Sequence, residues 1–255
     1  MSHPDAHVSA LDPFTWQSTL DNNLDRKGLL LRLFAEQRLM AAQVRACKLD
    51  HRDYLLSLID PASTVDDGTR HSALGTRHSS SIEGHRMRNV ITEAAKKAHW
   101  GKLPRHGRAQ GIAAHYDAQT CMAVVLDIEV SDEGRLIIHD AVVVADLGFL
   151  KNPGRVRSQL EGACLIGIAV VTSCDFDPTT ADTQPKPAYR TRWPLVSWLP
   201  GQIAVHLINP TGAPEAGQPS QTSYAPVARA LCNAIAARQS RACRTVTSES
   251  AIASS

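Results

Sequence analysis

The stretch TCMAVVLDIEVSDEGRLIIHDAVVVADLG, residues 120–148, decides the fold class. Its SDEG segment (131–134) separates two runs rich in β-branched residues, with Gly134 at the position of a hairpin that needs positive φ. In the first run Val124, Leu126, Ile128 and Val130 alternate with Val125, Asp127 and Glu129, the period of a half-buried strand. Ile138, Val142 and Val144 are good strand formers in the partner run. RAQGIAAHYD (108–117) leads into this hairpin, and GQIAVHLINP (201–210) reads as one more strand.

Helical patterns surround the strands. Residues 24–49 carry Leu30, Leu33, Phe34, Met40 and Val44 at roughly helical spacing. HRDYLLSLI follows Asp50, an N-cap residue type. HRMRNVITEAAKKAHW (85–100) places Met87, Val90, Ile91 and Ala94 on one face, with Gly101 as its stop. Pro153 suits the first turn of a helix that runs through VRSQLEGACLIGIAVV (156–171). Gly162 and Gly167 inside it cost about 1 kcal/mol each relative to Ala, so they suggest close packing against a backbone or a ligand. A final helix is expected over Val227 to Arg238. The expected architecture is α+β, an antiparallel hairpin sheet packed with helices and preceded by a helical region. Residues 1–60 form that helical region, 61–84 a flexible linker, 85–245 the α+β region, and 246–255 a disordered tail.

Composition limits the function classes. A net charge of +2, with Lys and Arg spread along the chain, argues against a nucleic-acid partner. The longest apolar runs, LLLRLF and CLIGIAVV, are too short to span a bilayer. MSHPDAHVSALDPF has no basic segment followed by an apolar run, so a cytoplasmic location is expected. The six cysteines show no C-x-x-C pair or zinc spacing and read as buried free thiols. The pentapeptide GTRHS occurs at 68–72 and 75–79, and its two histidines read as a solvated repeat rather than a metal site. His115, His139 and His206 lie in separate strands and read as core or edge histidines, so no metal site is expected.

Three blocks in order resemble the molybdopterin-binding large subunit of the xanthine dehydrogenase and aldehyde oxidase family, isoquinoline 1-oxidoreductase beta subunits in particular. They are residues 86–153, the VRSQLEGACLIGIAVV helix, and APVARALCNAI (225–235). Upstream, DPFTW (12–16) and HRDYLLSLIDP are similar to the family's D-P-x-x-F/W motif and its continuation. The resemblance covers only the C-terminal part of the family's subunit. It implies a molybdenum–molybdopterin cofactor, aldehydes or N-heterocycles as substrates, and hydroxylation by Mo–OH attack with hydride transfer to sulfur. It also implies two partners, a companion large-subunit fragment and an iron–sulfur subunit. The G-G-x-F-G and G-Q-G loops that cradle the cofactor in the family are absent from this sequence.

The resemblance also locates the family's general base, a Glu in G-G-x-G-E-P before the last helix. Counting back without gaps from Asn233 and Ala234 puts Gln221 at that position, with Gly217 and Ser220 in the preceding glycine positions. An amide has the shape of the acid but cannot accept the proton. Glu215, in TGAPEAG, is the other candidate and needs about six extra residues before the helix. Gln159 and Glu161 match the family's Q-x-E-G helix, where the expected role of Gln159 lies between helix-to-loop bonding and cofactor contact. The sequence thus favours a partial large subunit that is inactive alone, with a non-catalytic scaffold module as the alternative.

Overall fold

A computed structural model describes residues 39–59, 82–102, 107–117, 120–131, 135–172, 174–175, 186–187, 199–208 and 223–252. Four strands form the main sheet: β1 (Arg108–Asp117), β2 (Thr120–Val130), β3 (Leu136–Asp146) and β6 (Gln202–Ile208). They lie in the order β1-β2-β3-β6. β1, β2 and β3 are antiparallel neighbours. β6, the further strand expected at GQIAVHLINP, runs parallel to β3, so the sheet built on the antiparallel hairpin is mixed. The reason is topological: α4 (Pro153–Thr172) lies between β3 and β6 in the chain, and a helical crossover can return a strand in the same direction. The two-residue strands β4 (Cys174–Asp175) and β5 (Lys186–Pro187) pair separately.

The sheet is covered on both faces. Met122, Val124, Leu126 and Ile128 point into a core shared with α4 and α5 (Ala225–Ile252). Cys121, Ala123 and Val125 point the other way, onto α3 (Ile82–Lys97) and α2 (His51–Ile59). β2 is therefore buried continuously from Thr120 to Leu126 rather than half-buried. Only its far end alternates, where Asp127 is held by Arg108 (Nε–Oδ1 3.1 Å, Nη2–Oδ2 2.9 Å). At that end β3 carries a bulge: Asp127 faces Asp140 and Ile128 faces Ile138, leaving His139 extra. The SDEG turn is closed by Ser131 N–H donating to the Arg135 carbonyl (3.0 Å), while Gly134 lies outside the described residues.

The helix signals resolve as follows. The first described helix, α1 (39–47), buries Met40 and Val44 against Tyr54 of α2. Asp50 caps α2, its Oδ1 accepting from Asp53 N–H at 2.7 Å. Met87, Val90, Ile91 and Ala94 of α3 are all buried, and α3 begins at Ile82, inside the segment read as linker. α3 ends at a pair of bonds, Trp100 N–H to Ala95 O and His99 N–H to Lys96 O. This is a Schellman cap with His99, at φ +52°, where glycine is usual. Asn152 caps α4 through Arg155 N–H (3.0 Å), with Pro153 in the first turn. α5 starts at Ala225 and its backbone stays helical to Ile252, through most of the region read as a disordered tail. Extending a helix costs far less than nucleating one, so a Ser-rich end can follow a well-packed start.

Two glycines bring the backbones together. A Cβ on Gly111 of β1 would meet Ala230 O and Ala234 N of α5, with the Ala234 Cβ at 2.8 Å. A Cβ on Gly167 of α4 would lie 2.6 Å from Tyr224 O and from Val227 Cβ. Gly162, expected to pack closely too, meets nothing within 4 Å. Gly111→Ala is therefore expected to destabilise the protein by at least about 2–3 kcal/mol through overpacking. Gly162→Ala is expected to stabilise it by up to about 1 kcal/mol through helix propensity. Urea denaturation of both variants checks the opposite signs.

Candidate functional site

The resemblance directs attention to the start of α5. Ser223 is buried there, and Tyr224 carbonyl oxygen accepts from Ala228 N–H (3.1 Å) to open the helix. Burial pushes the half-buried Tyr224 phenol upward in pKa, so it stays neutral. The next turns are enclosed by β1, β2 and α4, with Val227, Ala228, Ala230 and Leu231 fully buried. Two polar side chains one turn apart interrupt this apolar wall, Arg229 (3% exposed) and Asn233 (1% exposed). Asn233 Nδ2 donates to Ile112 O of β1 at 2.9 Å, tying helix to strand beside Gly111. Its Oδ1 is buried with no hydrogen-bond partner among the described residues. α5 has no acidic residue in its first turn.

Of the site residues expected from the sequence, Gln221, Glu215, Gly217 and Ser220 lie outside the described residues. Gln159 is exposed on α4, and Glu161 beside it is partly buried. The histidines stay apart in function: His115 is buried in β1, His139 Nε2 lies 2.8 Å from Glu129 Oε2, and His206 sits on β6. Burial, with Lys97 and Arg157 nearby, holds the His206 pKa below its ordinary value. Among the described residues no cluster of three or more His, Cys, Asp or Glu could hold a metal ion.

One buried ion pair had no sequence signal. Arg86 of α3 grips Asp146 at the end of β3, Nε to Oδ2 and Nη2 to Oδ1, both 2.9 Å. Asp146 Oδ1 also accepts from Gly148 N–H at 3.1 Å, and Gly148 has φ +74°. The partners are 60 residues apart, so no local pattern marks them. Arg229 did carry a signal, a lone arginine inside the apolar segment APVARALCNAI.

The glycines packed in the core do not form a phosphate cradle. A phosphate cradle needs backbone N–H groups left open by glycine. Here Gly111, Gly167 and Gly201 face the protein's own backbone or side chains instead. Gly162 faces open space, in mid-helix, where its N–H belongs to the helix.

No family model matches the sequence, and no curated protein matches it. Among solved structures the chain is similar in part to molybdenum hydroxylases. Aldehyde oxidoreductase from Desulfovibrio gigas overlaps at 20% identity and a TM-score of 0.37, over 46% of this chain and 13% of that one. Quinoline 2-oxidoreductase from Pseudomonas putida 86 overlaps at 16% identity and 0.36, over 48% and 16%. CO dehydrogenase from Oligotropha carboxidovorans overlaps at 15% identity and 0.36, over 48% and 15%. The matched region thus spans about a sixth or less of each of those chains. No helix among the described residues is long and apolar enough to cross a membrane.

The thiols give a direct test of this packing. Cys121, Cys164 and Cys232 are free and buried, whereas Cys47 is exposed, contrary to the expectation that all were buried. α1 presents its Met40–Val44 stripe to Tyr54 and leaves Cys47, at its last turn, in solvent. Burial pushes Cys164 and Cys232 up to about 12, so neither forms a thiolate near neutral pH. With Cys174 and Cys243 replaced by Ser, Cys47 alone is expected to react quickly with a chromogenic disulfide reagent. The other three should react only after denaturation.

Proposed function

We propose that this chain is one piece of a molybdenum-hydroxylase-type large subunit, part of an oxidoreductase for aldehydes or N-heterocycles. A companion polypeptide supplies the glycine-rich cofactor loops, and an iron–sulfur subunit takes the electrons. The chain itself provides a packed frame and the loop that carries Gln221. One observation supports this division: the three resembling blocks are spent on contacts with each other. Gly111 of the first block receives the backbone of the third at Ala230, and Gly167 of the second faces Val227 of the third. Asn233 of the third block bonds Ile112 of the first. The blocks therefore have a physical use as a frame without any bound cofactor.

A second reading is favoured by Gln221 itself. With an amide in place of the acid, the frame serves as a scaffold module that does no chemistry. The two readings separate on metal content and on two side chains. The chain purified alone is expected to carry neither molybdenum nor pterin in stoichiometric amount, and the chain purified with its companion to carry both. Stoichiometric cofactor in the chain alone would overturn the division of labour. No cofactor in either sample leaves the scaffold reading. If the assembled complex is active, Gln221→Ala should impair it; loss in Glu215→Ala with full activity in Gln221→Ala would move the site to Glu215.

A further inference from the structure

We propose that the cleft between α2 and the C-terminal turn of α3 is a binding site for a small anion carried on a flat ring. The site is separate from the start of α5, and the proposal does not depend on the molybdenum-hydroxylase reading. The cavity, about 470 Å³, is lined by Arg52 and Leu56 of α2, Lys96 of α3, and His99, Trp100 and Lys102 of the following turn. That volume lies in the range of small-molecule sites. No carboxylate lines it, and three permanent cations reach it from three segments.

The plain explanation for cations at a helix C-terminus is that they cap its free carbonyls. Here most of those carbonyls are already taken. Ala94 O, Ala95 O and Lys96 O accept from Ala98, Trp100 and His99 N–H, and Ala98 O accepts from Gln110 Nε2 at 2.9 Å. The cations also have only weak partners on the rim. Arg52 pairs with its neighbour Asp53, both sides well exposed, and Lys96 pairs with Glu93 while 73% exposed. Exposed pairs of this kind contribute little, so an incoming anion can displace the carboxylates.

The ring preference comes from Trp100. Its indole N–H donates to Asp50 Oδ2 at 3.1 Å, which fixes the edge of the ring; the partly buried ring packs against the core shared with α2 and lines the cleft with its remaining surface. Leu56 and Ala95 add apolar wall. His99 is held at φ +52°, where a side chain costs about 1 kcal/mol that glycine would avoid. The turn places the imidazole at the lip of the cleft. The ligand class is a carboxylate or phosphate attached to an aromatic or heteroaromatic ring.

Calorimetric titration of the full chain tests this with four probes: phenyl phosphate, benzoate, inorganic phosphate and benzyl alcohol. At least one ring-bearing anion should bind, with inorganic phosphate and benzyl alcohol each about tenfold weaker or more, the equivalent of losing one good contact. Phenyl phosphate tighter than benzoate assigns a phosphate head, and the reverse a carboxylate head. Lys102→Gln with Arg52→Gln should weaken binding about tenfold, since each removes a charge-assisted contact. Trp100→Leu should abolish the advantage of phenyl phosphate over inorganic phosphate. Because losing the Asp50 bond could loosen the turn, Lys102→Gln alone, at an exposed position, provides a variant that keeps the fold. The proposal is overturned if neither ring anion binds, if inorganic phosphate binds as well as phenyl phosphate, or if the double variant binds as the parent does.

Discussion

The backbone of α5 lies directly on β1 at Gly111, and the rest of the structure is arranged around that approach. A helix packed on a sheet normally stands off by the side chains between them. At Gly111 those side chains are missing, and the α5 backbone at Ala230 and Ala234 occupies the space. The same economy recurs where α4 meets the first turn of α5, at Gly167. Together these contacts require small residues where α5 comes closest to β1, at Ala230 and Ala234. Asn233 then fixes the register along β1, because its amide reaches the Ile112 carbonyl from one position only.

The opposite face is organised by charge. Arg86 and Asp146 are 7% and 1% exposed, so their desolvation has to be offset by geometry. Two 2.9 Å contacts and the Gly148 N–H provide it. Removing one partner alone would strand a buried charge, at a cost of about 3–5 kcal/mol. The pair joins α3 to the end of β3, just before the connection that leads into α4. It thereby links the layer of helices on one face to the connection that feeds the other.

Much of this was legible in the sequence, and what was not has physical reasons. The SDEG hairpin, the Asp50 cap, the Pro153 entry and the buried face of α3 all rest on signals within a dozen residues of one another. Those are local, and local chemistry decides them. The continuous burial of β2 escaped because Asp127 and Glu129 make its far end alternate, and alternation does not say whether a second layer covers the rest. The parallel placement of β6 escaped because strand direction depends on how α4 crosses, which no residue in QIAVHLI encodes. Gly162 and Gly167 look equivalent in sequence and differ in structure, since a glycine's use depends on the partner facing it. For the candidate site, the resemblance pointed to Gln221, and Arg229 stood out as a lone arginine in an apolar segment, while Asn233 became visible as a buried polar group only once α5 was packed.

These observations change what the resembling motifs signify. A glycine in a motif that resembles another family's invites a reading as a ligand cradle, yet the space at Gly111 and Gly167 is filled by α5 and the residue before it. Residues committed to packing would be retained whether or not any cofactor is bound, so their presence carries little information about catalysis. The informative positions are those whose chemistry packing does not require. Gln221 is one by its place in the resemblance. Function in this chain is therefore better sought at positions whose chemistry the packing does not use than where the motifs agree.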